Sequence, residues 1–346
     1  MRDKKRLILV GASGFGRVWR SSVLPQVSDI CEPVAVVDIR PEALAELDGD
    51  PAYSALPRYS DIRRAFADIP ADFAAVVVPA KAHRAVIEEA LAAGLHILCE
   101  KPLAGSMEDC AAVCRAVTAA GKKLAVTMSH RFEREKQTVE ALVKSGTYGP
   151  ANYLVSRLSA RISGPQNAGL IASPLGLVSN ATVHALDTAR GVLQSNAKTI
   201  YANHWLARDG EHGVELPSSL ITVEMENGAR ALFETTFAAA DKRNGWGNEY
   251  LRVECASGTI TADCGRVTVS SSQGPQSGQT EAPLLENRAW GHEAIVRSFC
   301  AWLEGGEPAP TSLEDNLQCC ALAYAAAESA ETGCPVDLKA FLARYQ

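Results

Sequence analysis

The sequence lacks the features that would place it in a membrane or on nucleic acid. No window approaches the ~18 consecutive apolar residues of a membrane-spanning helix. The formal net charge of -6 is spread along the chain, without a basic run that could follow a phosphate backbone. We therefore expect neither a membrane nor a nucleic acid as a partner. The length of 346 residues favours about two domains.

The ten cysteines include no CxxC pair. They lie in ordinary apolar segments, which is typical of reduced, buried side chains in a cytoplasmic protein. Cys110 and Cys114 share one helix face, but no histidine lies near them in sequence, so core packing is favoured over a metal site. The apolar run from Leu7 ends at a glycine cluster without a cleavage site, unlike a signal peptide. We expect a cytoplasmic protein with no bound metal.

The first motif is a glycine turn between a predicted strand and a predicted helix. The apolar run Leu7–Val10 leads into GASGFG, residues 11–16, which is the setting in which such a turn binds a dinucleotide. The match to G-x-G-x-x-G is imperfect, because Ser13 occupies the second glycine position, although its hydroxyl can bond a phosphate oxygen. A tight turn without a ligand is the alternative. The candidate cofactor-binding residues here are Gly11, Ser13, Gly14, Phe15 and Gly16.

The next predicted strand, Val34–Val37, ends in an acidic residue. Asp38 can accept hydrogen bonds from the adenosine ribose hydroxyls and repels a 2′-phosphate, which favours NAD. Arg40 can instead stack on adenine or pair with a 2′-phosphate. NAD is therefore the predicted cofactor, with NADP left open.

The strongest local signal is HILCEKPLAG, residues 96–105. His96–Cys99 is predicted to be a buried strand, and it ends at Glu100-Lys101-Pro102, which no interior strand accommodates. Proline restricts Lys101 to extended geometry, so the lysine points in a defined direction from the carboxyl edge of a sheet. Ligands bind at that edge in open α/β sheets. A solvated loop lysine is the alternative.

Strands and helices alternate through residues 1–128. Helices such as Ser106–Ala120 separate short buried strands, which predicts a parallel, doubly wound sheet. The strand Phe73–Val78 ends in a loop that we expect to face the cofactor, and we expect the Glu100-Lys101-Pro102 loop to face it too. The loop after Phe73–Val78 contributes the candidate cofactor-binding residues Pro79 and His83.

The pattern changes after Met128. From Ala151 onward, strand-like runs follow one another with short, hairpin-like connections, which predicts a mostly antiparallel sheet in a domain of α+β type. The low-complexity stretch Ser271–Glu281 is predicted to be an exposed loop. We thus predict one domain over residues 1–128 and a second over residues 129–346.

One helical segment of the second domain carries polar residues on a single side. Asn180 and His184 are four residues apart and Asp187 follows three residues later, among Ala, Val and Leu. Such a polar stripe needs a shared polar environment, and a cleft provides one. A histidine with a purely structural role is the alternative, and Asp187 then orients His184 or a backbone group.

Several stretches together resemble the Gfo/Idh/MocA family, named for glucose-fructose oxidoreductase, inositol dehydrogenase and a rhizopine-catabolism protein. They are VGASGFG, VVVPAKAHRAVIEEALAAGLHILCEKPLA, RFEREKQTVEALVKSGTYGP and the C-terminal WLEGGEPAPTSLEDNLQCCALAYAAAESAETGCPVDL. The resemblance covers nearly the whole chain. It implies an NAD(P)-binding Rossmann domain followed by an α+β domain that binds substrate and forms a homodimer or homotetramer through its large sheet. It also implies hydride transfer between NAD(P) and a hydroxyl or carbonyl of a sugar, cyclitol or related polyol.

The resemblance also implies roles for individual residues. Lys101 matches the active-site lysine of the family and His184 its usual acid/base, while Glu100 and Lys101 also line the cofactor site. Asn180 stands where an aspartate is common and Thr182 replaces a glycine. Asparagine can bond a substrate hydroxyl but cannot accept a proton. The predicted catalytic residues are Lys101, His184 and Asn180.

Two other functions remain open at this point. A glycosidase of the same family keeps NAD bound and uses it transiently, which predicts a retained cofactor without net reduction of nicotinamide. A catalytically silent cofactor-binding protein is suggested by Asn180 and Ser13, and it predicts nucleotide binding without turnover. The dehydrogenase hypothesis requires Lys101 and His184, from different predicted domains, to act on the same hydroxyl.

Overall fold

The computed structural model describes residues 4–161, 174–208, 215–241, 243–271, 278–286 and 288–345. These residues form two compact units. The first unit comprises the chain up to Met128 together with His292–Leu317, and the second comprises Ser129–Gly291 together with the chain from Gln318 onward. The predicted division after residue 128 assigned His292–Leu317 to the second domain, whereas the structure places this segment in the first unit.

The first unit contains a six-stranded parallel sheet. Its strands are β1 (Lys5–Val10), β2 (Cys31–Val37), β3 (Arg58–Tyr59), β4 (Phe73–Val76), β5 (His96–Cys99) and β6 (Leu124–Val126). They are ordered β3-β2-β1-β4-β5-β6, so the strand order reverses between β1 and β4. Ligands bind beyond the carboxyl ends of the strands at such a switch point. The predicted parallel, doubly wound sheet is confirmed.

Helices flank these strands in the order that the alternating pattern predicts. Ser106 caps one of them by accepting the Asp109 N–H at 3.1 Å, and Gly121 ends it with a φ of 62°. A π-helical segment, Trp19–Val23, joins the two short helices after β1. The helices of this part of the chain are Phe15–Val18, Leu24–Gln26, Pro41–Ala45, Ile62–Asp68, Ala80–Ala92 and Met107–Ala120, with the 3-10 turn Glu46–Gly49.

The segment His292–Leu317 packs back onto the first sheet. It begins with the helix Gly291–Leu303, whose Phe299 ring meets Phe73 edge-on at 5.3 Å between centroids. Arg297 pairs with Asp29 at 2.9 Å. These long-range contacts explain why the segment belongs with the first unit.

The second unit contains a nine-stranded mixed sheet. Its strands are β7 (Ala151–Ser159), β8 (Ala197–Arg208), β9 (Glu215–Met225), β10 (Arg230–Thr236), β11 (Tyr250–Cys255), β12 (Gly258–Asp263), β13 (Arg266–Ser271), β14 (Gly278–Ala282) and β15 (Val336–Asp337). They are ordered β14-β13-β12-β11-β7-β10-β9-β8-β15, and every neighbouring pair except β7 and β10 is antiparallel. The predicted mostly antiparallel sheet is confirmed.

One predicted loop is partly a strand. Ser271 belongs to β13, and β14 pairs with it in antiparallel register, with Val269 opposite Thr280. Polar Gln and Thr side chains suit this position because β14 is the exposed edge of the sheet. The loop prediction for Ser271–Glu281 is therefore wrong at both ends, and residues 272–277 lie outside the described ranges.

Helices cover one part of the second sheet. They are Arg134–Lys144, Pro174–Leu177, Val183–Leu193, most of Leu313–Thr332, and Leu338–Ala343, with the π-helical turn Val178–Thr182 and the 3-10 turn Ser129–Phe132. Within the described ranges, no helix of either unit combines the length and apolar character that crossing a bilayer requires.

Candidate functional site

The glycine turn after β1 is shaped by close backbone contacts. A Cβ on Gly11 would lie 2.1 Å from the carbonyl oxygen of Val77, and one on Gly16 would lie 2.1 Å from the carbonyl oxygen of Gly11. Gly11 also has a φ of +102°, which L side chains rarely adopt. No other residue type fits either position. By contrast, a Cβ on Gly14 would meet open space.

Asp38, which directly follows β2, holds the glycine turn in place. Its Oδ2 accepts the Ala12 N–H at 2.9 Å and the Ser13 hydroxyl at 3.1 Å, and its Oδ1 accepts the Arg40 N–H at 2.9 Å. Burial opposes ionisation, but these hydrogen bonds outweigh it and lower the pKa of Asp38. In this structure the Ser13 proton is directed to Asp38 rather than outward.

The glycine turn and Asp38 have the conformation and the charge that a dinucleotide site requires. The helix Phe15–Val18 begins at Gly14 with no side-chain cap, and the Gly16 and Arg17 N–H groups donate to the carbonyl oxygens of Ser13 and Gly14 at 2.9 and 3.1 Å. Asp38 places an ionised acceptor at the end of the neighbouring strand, as a ribose diol requires. The two glycines without room for a Cβ allow the turn to pack closely against itself and against the residue that follows β4.

Lys101 lies at the same edge of the sheet, directly after β5. The parallel register places Cys99 opposite Val76, the last residue of β4, so Lys101 is close to the switch point. The Lys101-Pro102 peptide bond is cis. Burial lowers the pKa of the Lys101 ammonium, and the adjacent Glu100 carboxylate opposes this effect.

Glu100 fixes the backbone that carries Lys101. Its side chain is only 6% exposed, and its Oε1 accepts the indole N–H of Trp19 at 2.8 Å and Nε2–H of His292 at 3.2 Å. Its Oε2 accepts the Lys101 N–H at 3.2 Å. Burial opposes the charge, but the hydrogen bonds lower the pKa of Glu100. The carboxylate therefore serves to anchor the loop, and its predicted contact with the cofactor stays a prediction.

His83 links the two loops at this edge. Its Nδ1 lies 2.9 Å from the carbonyl oxygen of Pro102, and its Nε2 lies 2.7 Å from that of Val78. The side chain is fully buried. The ring positions the Lys101 loop, and its predicted direct contact with the cofactor stays a prediction. Pro79 precedes the helix Ala80–Ala92 and is exposed.

In the second unit, the predicted polar stripe divides into separate interactions. Asp187 lies 3.5 Å from Arg131 and 3.7 Å from Arg190, so two guanidinium groups neutralise it. The Asn180 amide donates to the carbonyl oxygen of Gly176 at 2.9 Å, which fastens it to its own helix. His184 is 4% exposed.

His184 stacks on a second histidine that the sequence analysis did not select. Its ring lies flat against that of His130, with centroids 3.8 Å apart and an interplanar angle of 9°. Nδ1–H of His130 donates to Glu249 at 2.6 Å, and Lys136 also pairs with Glu249. His130 and Glu249 are 119 positions apart, so no local pattern marks the pair. The sequence offers one indication that His130 could belong to a site, namely its position four residues after the end of β6.

Comparison with known proteins gives two family matches. Residues 5–128 match an oxidoreductase family described by its NAD-binding Rossmann fold, and residues 136–261 match the GFO/IDH/MocA C-terminal domain. The uncharacterized protein y4oX of Sinorhizobium fredii is 32% identical, over 99% of this chain and 98% of its own. A D-apiose dehydrogenase of Rhizobium rhizogenes is 28% identical, over 89% of this chain and 90% of its own.

A solved structure of an oxidoreductase has the same fold over nearly the whole chain. An oxidoreductase from Agrobacterium radiobacter, in complex with NAD+, L-tartaric acid and magnesium, superposes with a TM-score of 0.84. The alignment has 25% identity and covers 98% of this chain and 99% of that one.

Proposed function

Because the chain belongs to the Gfo/Idh/MocA family of oxidoreductases, we propose that it transfers a hydride between NAD and a hydroxyl or carbonyl of a sugar, cyclitol or related polyol. The predicted family, enzyme class and nicotinamide cofactor are confirmed by these matches. The substrate class rests on the sequence resemblance and on the D-apiose dehydrogenase relative. The observation that carries the proposal is Lys101, held at the carboxyl edge of β5 by Glu100 and His83.

Residues of the first unit would hold the cofactor. Gly11, Gly14, Phe15 and Gly16 would form the turn that binds the pyrophosphate, and Asp38 would accept hydrogen bonds from the ribose hydroxyls. When bound, NAD supplies the carbon that accepts or returns the hydride. Asp38 favours NAD over NADP because a 2′-phosphate would lie against its carboxylate, even with Arg40 only 3.6 Å from Oδ1.

We assign complementary roles to Lys101 and His184. The Lys101 ammonium stabilises the negative charge that develops on the substrate oxygen. His184 accepts the hydroxyl proton. Asn180 donates or accepts a hydrogen bond but moves no proton.

The second unit also presents an apolar face. Tyr201 and Trp205 of β8 lie on one side of the sheet, 38% and 44% exposed, and Leu220 of β9 lies opposite Asn203 on that side. We propose that a second copy of the chain covers this face, because exposed apolar clusters of this kind mark protein interfaces. A cytoplasmic location is also proposed, and the ten cysteines, all within the described ranges, form no disulfide.

A nicotinamide absorbance assay tests the proposal. The purified chain is mixed with NAD or NADP and a panel of aldoses, inositols and ketosugars. Net reduction of NAD with at least one compound supports the dehydrogenase. A cofactor that is retained through purification without net reduction would support the glycosidase instead, and nucleotide binding without any turnover would support a silent binding protein.

A further inference from the structure

Three arginine side chains lie at the glycine turn of the first unit. Arg17 directly follows the last glycine of the turn. Nε–H of Arg20 donates to the carbonyl oxygen of Ala12 in the turn at 3.2 Å, and Nε of Arg40 lies 3.6 Å from Oδ1 of Asp38, which itself accepts from the turn. Guanidinium groups bind phosphate strongly, so this region contains the cations that a 2′-phosphate on the ribose would need.

Each of these guanidinium groups is already paired with a carboxylate of the chain. Arg17 forms a two-point contact with Glu46, in which Nε–H donates to Oε2 at 2.9 Å and Nη2–H donates to Oε1. Arg20 donates to Oδ2 of Asp50 at 3.1 Å, and its Nη2 lies 3.9 Å from Oε2 of Glu46. With Asp38 beside the third guanidinium group, three carboxylates balance the three positive charges.

Glu46, which directly follows the helix Pro41–Ala45, is central to this arrangement. Its hydrogen bonds from Arg17 lower the pKa of the Glu46 carboxyl, and the charges of Arg20 and Arg40 act in the same direction, so the group is ionised. The Arg17 side chain is 59% exposed, so its pairing with Glu46, rather than packing, determines where the guanidinium group lies. Two N–H groups that a phosphate would require are therefore already donated.

We propose that Glu46 is a positioning residue and a second determinant of cofactor choice, which holds Arg17 away from a 2′-phosphate and so favours NAD over NADP. The inference rests on the proposed binding of NAD at this turn. Asp38 repels a 2′-phosphate directly, whereas Glu46 withholds a cation that would bind it. A phosphate group carries up to about two negative charges, so a chain whose nearby guanidinium groups are already neutralised accepts it poorly.

Nucleotide binding to the full-length chain tests the proposal without requiring turnover. Isothermal titration calorimetry gives the dissociation constants of NAD and NADP for the wild type and for Glu46→Gln. Glutamine preserves the shape of the side chain but cannot hold Arg17 through charge. We expect the preference for NAD, expressed as the ratio of the two constants, to fall about fivefold, which is the scale of one exposed charge pair. An unchanged ratio would overturn the proposal.

A second substitution in the same background identifies the released cation. If Glu46→Gln acts by releasing Arg17, the double variant Arg17→Ala/Glu46→Gln should return to the wild-type preference for NAD. A double variant that keeps the relaxed preference of Glu46→Gln would show that Arg17 is not the group that binds the 2′-phosphate, and it would overturn the role given to the pair.

Glu89→Gln is the matched control, because Glu89 belongs to an exposed pair of the same kind. Nε–H and Nη2–H of Arg63 both donate to Oε1 of Glu89, and the pair joins the helices Ile62–Asp68 and Ala80–Ala92 of the same unit. Its loss should leave the ratio of the two dissociation constants unchanged. An equal fall in Glu89→Gln would mean that any lost surface carboxylate relaxes the preference, and it would count against a specific role for Glu46.

The outcomes separate this inference from the proposed function. If the wild type binds neither nucleotide, the proposed cofactor site fails and the inference fails with it. If the wild type binds NAD and reduces it with a polyol, but binds NADP equally well or keeps its preference in Glu46→Gln, only the present inference fails.

Discussion

The indole N–H of Trp19 donates a 2.8 Å hydrogen bond to Oε1 of Glu100, across 81 positions of sequence. Trp19 lies in the π-helical segment that follows the nucleotide turn, and Glu100 directly precedes the proposed catalytic lysine. The bond therefore ties the turn that would hold the cofactor to the loop that carries Lys101. His292 donates to the same carboxylate oxygen at 3.2 Å, and its ring lies 5.5 Å from that of Phe15 in the turn.

Trp19→Phe should lower turnover more than it lowers NAD affinity. The change removes a hydrogen bond to a buried, ionised carboxylate, which typically costs about 1.5–3 kcal/mol, and it loosens the backbone at Lys101. We expect kcat to fall by about tenfold or more, because the lower end of that range, at ~1.4 kcal/mol per factor of ten, already corresponds to a tenfold loss. Steady-state kinetics and calorimetric NAD binding measure the two effects. Trp302→Phe, in the helix Gly291–Leu303, is the matched control. Equal losses of kcat in both variants would disprove the anchoring role of Trp19.

Asp38→Asn should shift cofactor preference toward NADP. The amide oxygen still accepts from the turn, but the charge that repels a 2′-phosphate is removed while Arg40 remains beside it. We expect the ratio of kcat/KM for NADP over NAD to rise about tenfold or more, equivalent to ~1.4 kcal/mol. Asp61→Asn, which alters only a helix cap, should leave the ratio as it is. A constant ratio in Asp38→Asn would show that this carboxylate does not select the cofactor.

Structural features that depend on residues close together in the sequence were predictable from it. The glycine turn, Asp38 and Lys101 each follow a short apolar strand, so their common edge in the parallel sheet follows from strand and helix alternation alone. Contacts across long sequence separations were not predictable in the same way. His292 forms a hydrogen bond with Glu100, 192 positions away in the sequence, and His130 forms one with Glu249, 119 positions away. A histidine in the first turn of a helix does not reveal that the His83 ring is buried against the carbonyl oxygens of Val78 and Pro102.

The buried Glu249 should make the protein less stable in acid. Because Lys136 and His130 lower its pKa in the folded state, its contribution is complete above the unfolded value of ~4.3 and is lost as pH falls below it. Glu249→Gln breaks a buried ion pair, which typically costs about 3–5 kcal/mol near neutral pH. Urea unfolding of both proteins across the acid range measures this difference.

The destabilisation by Glu249→Gln should shrink as pH falls below ~4.3, because the unfolded wild-type chain is then protonated at Glu249 and the charge stabilises the folded state less. The double variant Lys136→Met/Glu249→Gln is the control, because it leaves no uncompensated ammonium in the interior. A difference in unfolding free energy that stays constant from neutral to acidic pH would contradict the assignment.

Trp205→Asp should weaken self-association through the second sheet. A carboxylate placed beside Tyr201 and Leu220 would have to lose water in any interface formed there. We expect a smaller mass by size exclusion with light scattering, and an unchanged circular dichroism spectrum. Ile39→Asp is the control, since Ile39 is 83% exposed but lies in the first unit. A wild-type mass for Trp205→Asp would exclude this face as the interface.

Lys101 is proposed to stabilise charge on the reacting oxygen without being needed to hold the cofactor. A comparison of kcat and of the NAD dissociation constant among the wild type, Lys101→Ala and Lys122→Ala tests this role. We expect Lys101→Ala to lose about two to three orders of magnitude in kcat, as oxyanion donors typically contribute, while NAD affinity changes little. Undiminished turnover in Lys101→Ala, or turnover lost together with NAD binding, would contradict this role.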